Sequence, residues 1–140
     1  MFFYLEPEVA GGIGPNSELH RESGRLVVTR LNYQFDGWLG DALLETTPCF
    51  IVTDAARQGI DEAALTGVSF SDVEVTRSDL FTDLYGDKAL PHFWWMIVKG
   101  KPKTDDFGMA DDLRLVASER ALTVLRSVGL AHAEVQPVSD

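Results

Sequence analysis

Arg114–Val138 reads RLVASERALTVLRSVGLAHAEVQPV, and it predicts a strand, a helix and a returning strand. Leu113, Leu115 and Val116 form a short apolar run. Ser118 offers a hydroxyl to the free N–H groups of a helix start, and Glu119 places a negative charge at the positive end of that helix. Ala121, Leu122, Leu125 and Val128 recur at spacings that stack on one face of a helix. Gly129 accepts the left-handed backbone that stops it. His132–Val138 reads as extended chain, with Pro137 suited to a strand end or edge.

An earlier stretch has the same pattern. Phe50–Val75 reads FIVTDAARQGIDEAALTGVSFSDVEV. Phe50, Ile51 and Val52 predict a strand, Thr53 or Asp54 a cap, and Ala55, Ala56, Ile60, Ala63, Ala64 and Leu65 a helix that Gly67 stops. The returning segment ends in Glu74-Val75, as the later one passes through Glu134-Val135, with a small difference in helix length. An internal strand-helix-strand repeat is one reading. Coincidence is the other, because any two such units share much of this pattern.

Outward from these units, Phe2–Leu5 predicts a buried strand and Ala10–Ser17, AGGIGPNS, a loop. Leu26–Phe35 is rich in β-branched and aromatic residues and predicts one strand. Asp41–Thr46 is open between helix and strand. Ser78–Tyr85 predicts a short helix that Gly86 stops, with Leu80, Phe81 and Leu84 as its apolar face and Asp79, Asp83 and Asp87 as an acidic edge. Phe93–Val98, FWWMIV, is the most apolar run and suits a central strand covered on both faces. Gly100–Asp112 reads as a long polar loop. The expected fold class is α+β: one domain over residues 1–140, with a mixed or antiparallel sheet of five to seven strands and two or three helices.

Composition narrows the function classes. At 45% hydrophobic and 24% charged residues, the chain has the balance of a soluble globular protein. No apolar run approaches the roughly 20 residues a bilayer span needs. MFFYLEPE meets acid and proline too soon for a secretory signal, so a cytoplasmic protein is expected. The single cysteine, Cys49, excludes an internal disulfide and sits beside an apolar run, as a buried small hydrophobe does. The net charge of −10 disfavours nucleic acid and anionic membranes and favours a basic protein partner.

Sites for chemistry are scarce. The glycines of Ala10–Ser17 do not run into a helix in a Gly-x-Gly-x-x-Gly pattern, and no Gly-Lys-Ser/Thr follows them. No Gly-x-Ser-x-Gly elbow and no His-Glu-x-x-His spacing occurs. No catalytic residue, metal ligand or cofactor is assigned. Asp105, Asp106, Asp111 and Asp112 flank Phe107-Gly108-Met109-Ala110 without calcium-loop spacing or the facing geometry of a glycosidase pair. They suit an acidic recognition rim instead, with the four Asp steering a partner and Phe107 supplying apolar contact. The bland alternative is a solvated loop. A second function is an enzyme using His92 or His132 with a nearby carboxylate, and a third is a subunit that self-associates through an exposed aromatic strand edge.

Asp41-x-Leu43 before Phe50-Ile51-Val52-Thr53, then Leu115-Val116-Ala117-Ser118-Glu119-Arg120-Ala121, a glycine and Val135-x-Pro137-Val138 form a pattern that resembles the myxobacterial-type immunity domains of bacterial polymorphic-toxin systems. The resemblance covers Asp41–Val75 and Leu113–Val138. Thr53-Asp54 stands where that family prefers Ser-Glu, and Phe93–Trp95 has no counterpart there. The resemblance implies a non-catalytic protein that binds and neutralises a cognate toxin.

Overall fold

The computed structural model describes residues 1–139. In chain order its elements are β1 (Phe2–Glu6), β2 (Gly11–Ile13), β3 (Glu18–Glu22), β4 (Arg25–Arg30), β5 (Asn32–Phe35), β6 (Leu43–Thr46), β7 (Cys49–Thr53), α1 (Asp54–Glu62), β8 (Val68–Ser71), β9 (Glu74–Arg77), α2 (Asp79–Tyr85), β10 (Phe93–Val98), β11 (Phe107–Met109), β12 (Leu115–Ser118), α3 (Glu119–Val128) and β13 (Glu134–Pro137). The class is α+β. The thirteen described strands exceed the expected five to seven because they form four sheets rather than one.

Two of those sheets have the same plan. One runs β6-β7-β10-β8 and the other β11-β12-β1-β13, and every neighbouring pair in both is antiparallel. In each, a hairpin leads into a helix and the helix into an edge strand. Thr53 and Ser118 cap the two helices with the same backbone (φ −70°, ψ 165°) and lie 65 positions apart, 118 minus 53. That spacing persists along the units. Phe93 pairs with Thr53 as Phe2 pairs with Ser118, and Met96 pairs with Phe70 as Leu5 pairs with Val135. Ala64 (φ 52°) and Gly129 (φ 121°) take left-handed backbone at matching positions. The repeat is therefore a property of the fold, with Phe70 rather than Val75 as the counterpart of Val135. Gly67 lies beyond the end of α1, and its backbone (φ 99°) packs against the Phe107 carbonyl.

The repeat is permuted. The first unit takes its central strand, β10, from later in the chain, whereas the second takes β1 from the N-terminal end. The helices meet where equivalent residues face each other: a Cβ placed on Gly59 would lie 2.9 Å from Val124 Cγ1, and these positions are again 65 apart. Contact between equivalent residues is the mark of a two-fold axis. Leu5, Leu43, Phe50, Val52, Ile60, Met96, Phe107, Leu115 and Leu125 from both units fill one core.

The remaining elements cover the outer face of the first sheet. β5 pairs with β2 antiparallel and with β9 parallel, and Tyr33, Phe35 and Phe81 pack on Leu44, Ile51 and Phe93 as a second core. β7 and β10 are thus packed on both sides, as FWWMIV predicted, with Trp94 against one core and Trp95 against the other. β10 lies between β7 and β8, so the aromatic strand has no free edge for self-association.

Three sequence expectations change here. Leu26–Phe35 is two strands, because buried Asn32 donates to the Glu74 carbonyl (3.2 Å) and Thr76 Oγ1 (3.0 Å) and draws β5 away from the β3–β4 arm. Ala10–Ser17 contains β2, and a Cβ at Gly11 would fall 1.9 Å from the Gln34 carbonyl oxygen, so strand pairing demands that glycine. Asp41–Thr46 resolves into a bent approach and the strand β6.

Candidate functional site

The Gly100–Asp112 segment is not an open loop. It contains β11, and Phe107 is fully buried in the main core, which removes it as a contact residue. Asp105 accepts a bond from the Lys101 N–H at 2.7 Å. Asp106 is occupied as well: its carboxylate accepts bonds from the Thr66 N–H (2.9 Å), the Ser118 hydroxyl (2.6 Å) and Arg120 Nη2 (3.1 Å). These bonds join β11 to the helix cap of its own unit and to the turn after α1 of the other. Asp112 is exposed and pairs with Arg114 Nε at 2.8 Å. Asp111 is exposed. The loop's four carboxylates therefore divide between two structural ones and two surface ones.

Burial pushes the Asp106 carboxyl up, but its bonds to Arg120, Ser118 and Thr66 outweigh that and hold it down at about 2, against an ordinary 3.8. A depressed carboxyl stabilises the fold fully above its unfolded value, and that contribution is lost as pH falls through the folded value. The expected result is a urea midpoint that falls between about pH 4 and pH 2, with a shallower fall in Asp106→Asn, measured by circular dichroism.

Asp41 mirrors this contact from the first unit. Only 2% exposed, it accepts bonds from the N–H groups of Ala131 (2.9 Å) and His132 (2.8 Å) in the turn after α3. Each unit thus holds the turn that follows the other unit's helix. Glu8, also buried, accepts bonds from the N–H groups of Leu39 (2.7 Å) and Asp41 (3.4 Å), and Trp38 Nε1 donates to the Asp41 carbonyl at 3.0 Å. This network fixes the Trp38-Leu39 segment on the surface.

An apolar patch with an acidic rim results. Val9 is 65% exposed, Leu39 64% and Tyr85 40%, and all three line one groove of about 320 Å³. Leu80 and Leu84 stand exposed on α2, where only Phe81 of the expected apolar face is buried. Asp79, Asp83 and Asp87 are exposed beside them. Val9 and Leu39 also line an adjoining groove of about 470 Å³ with Glu6, Glu45, His132 and Glu134. Burial first, and the neighbouring Glu6 second, raise the Glu45 carboxyl to about 7. Lys88 sits within the patch, donating to the Trp38 carbonyl at 3.3 Å beneath the rings of Trp38 and Tyr85. Val9 and Leu39 were missed because each stands in a turn-rich segment beside a more buried apolar neighbour, Ala10 or Trp38. That placement was itself the available signal: an apolar side chain where no strand or helix can bury it.

One histidine does find a carboxylate. His92 Nδ1 lies 2.9 Å from Asp54, which also accepts from the Trp94 indole N–H, and these bonds hold the Asp54 carboxyl below its usual value. Arg57 stacks over the Trp94 ring at 4.1 Å and pairs with Asp61. His92 and Asp54 are both more than half exposed on an open surface. His132 is exposed in the acidic groove, and His20 lies beside Glu22 on β3. Cys49 is buried, and burial alone raises its thiol to about 12, far from a reactive thiolate. Among the described residues no group of His, Cys, Asp and Glu is arranged to hold a metal ion, and no helix is long and apolar enough to cross a membrane.

No protein-family model matches this chain, and no curated protein matches it either. The resemblance to toxin-immunity domains rests on the residues quoted above alone.

Proposed function

We propose that this chain is a non-catalytic acidic binding protein of the immunity type, which neutralises a basic bacterial toxin by covering it. The carrying observation is the patch of Val9, Leu39 and Tyr85 with the exposed acids beside it. Large anchors inside a polar rim are how protein interfaces concentrate affinity, and a net charge of −10 speeds encounter with a basic partner. The proposed contact residues therefore move from the Asp105–Asp112 loop to this face, with Asp111 and Asp112 left as contributors to the long-range field.

The test is calorimetric titration against a basic toxin domain recovered with this chain as bait. Leu39→Asp with Tyr85→Ala is expected to weaken binding about 100-fold, the loss typical of two anchor residues, without lowering the melting temperature. A basic partner favours the ionised form of Glu45, so affinity should rise as pH climbs through about 7, with a proton released on binding. Unchanged affinity in the double variant would refute the face.

The His92–Asp54 pair favours a second reading, acid-base catalysis at the first unit's helix start. The two readings separate on His92→Ala. Catalysis predicts loss of turnover, whereas the binding reading predicts partner affinity within about twofold of the wild type.

A further inference from the structure

The β3–β4 arm pairs with no other strand among the described residues, and every residue of β3 is exposed. Val28 packs β4 against the second core, which leaves β3 as the outer strand. A two-stranded ribbon is marginal in water, and an unpaired edge is a template for a further strand.

The turn decides which groups β3 offers. Ser23 (φ 52°) and Gly24 (φ 79°) form a two-residue hairpin turn between the paired residues Glu22 and Arg25. Residues flanking such a turn exchange hydrogen bonds, and the pairing then alternates along the ladder. Glu22 and His20 therefore turn their backbone groups towards Arg25 and Val27, while Arg21 and Leu19 turn theirs outward. Among the described residues no backbone group outside the arm pairs with them. The register shift between Glu18 and Leu19 places its extra residue, Thr29, on β4, so the free edge stays regular.

Charge selects the partner strand. Glu18–Arg30 carries three Arg and two Glu, a net +1 in a chain of net charge −10, so two copies repel less there than over the acidic remainder. Identical strands that pair antiparallel about a two-fold axis set one residue opposite its own copy. Glu18, Arg21 or Glu22 at that point would face its own charge, and His20 there would set Glu18 opposite Glu22. Like charges directly opposite are destabilising. Leu19 at the axis opposes none: it meets itself, and Glu18 lies across from His20. The outward N–H and C=O of Leu19 then close the central pair of hydrogen bonds. Leu19 is also apolar and 47% exposed, so pairing covers the side chain on β3 that gains most from leaving water.

We infer that the arm binds a second copy of this chain: β3 pairs antiparallel with its counterpart about a two-fold axis at Leu19, giving a four-stranded sheet in the order β4-β3-β3-β4. The arm shares no residue with the Val9–Leu39 face, and pairing here does not depend on what binds there.

Sedimentation equilibrium of the whole chain is expected to show a monomer–dimer equilibrium with a Kd on the order of 100 μM, in keeping with a contact one short strand long. Leu19→Glu sets like charges against each other at the axis and should weaken it about tenfold. Cross-linking reads the register. Leu19→Cys should oxidise to a disulfide-linked dimer, because opposed residues of a hydrogen-bonded pair lie about 5.5 Å apart at Cα, inside the roughly 4.4–6.8 Å that a disulfide spans. Glu22→Cys should stay free of the cross-link under the same oxidant, since three residues on each strand, roughly 20 Å in all, separate it from its copy. Both positions are exposed, and circular dichroism checks that each variant folds. Cys49 is buried with its thiol raised to about 12, so it does not compete. A chain that remains monomeric at about 1 mM, ten times that Kd, would overturn the pairing. So would equal cross-linking at positions 19 and 22.

Discussion

Phe107→Ala is expected to destabilise the protein by about 3–5 kcal/mol, the usual cost of emptying a buried aromatic site. Phe107 is fully buried in the core shared by both repeat units, and its strand pairs with β12 through Phe107↔Ala117. Its N–H donates to the Thr66 carbonyl at 3.0 Å, so the surrounding backbone is fixed and the vacated volume has little chance to collapse. Against a typical total of about 5–15 kcal/mol, this is about a fifth or more of the stability. Urea unfolding measures it from the shift in midpoint at constant slope. A change below about 1 kcal/mol would return Phe107 to the surface role that the sequence first suggested. The same burial changes what neutralising the loop's four aspartates would report. Converting Asp105, Asp106, Asp111 and Asp112 together to Asn takes from Asp106 one of the two acceptor oxygens that Thr66, Ser118 and Arg120 share, and the charge that pairs with Arg120, so it tests folding before it tests association.

Asp41→Ala is the second large effect, expected at about 2–4 kcal/mol. The carboxylate is the acceptor for the Ala131 and His132 N–H groups, and removing it leaves two backbone donors without their partner in a site only 2% exposed at Asp41. Each donor stranded without a partner costs roughly 1–3 kcal/mol, with water recovering part of this at the exposed His132 end. The specific readout is hydrogen exchange. The Ala131 and His132 amides should lose protection in Asp41→Ala well before the α3 amides do, because the turn is released locally. Equal protection in variant and wild type would show that the carboxylate does not hold this turn.

How much of this was legible depends on distance along the chain. The ends of α2 and α3 were readable because Ser78 and Ser118 cap them within three residues and Gly86 and Gly129 close them. β10 was readable because burial on both faces leaves an unbroken apolar run. The repeat was half visible. Thr53 and Ser118 announced matching helix starts, but the true counterpart of FWWMIV is FFYL at the N-terminal end, a match visible only once strands are paired. Phe107 misled because a three-residue strand is too short to show alternation and acidic pairs flank it. The surface patch was obscured by the helical wheel: Leu80 and Leu84 fall on the same stripe as Phe81, yet α2 is short and only Phe81 reaches the core.

The borrowed central strand governs the order of assembly. β1 leaves the ribosome before every other described strand, but its partners β12 and β13 are more than a hundred residues downstream. The β6–β10 unit has all of its strands within Leu43–Val98 and is able to close while the rest is still being made. Until residue 118 emerges, Phe2-Phe3-Tyr4-Leu5 is an unpaired apolar segment of high β-propensity, the kind that recruits foreign strands. A nascent chain stalled before β12 would therefore be the aggregation-prone species, and its hazard would lie in the strand made before every other described one.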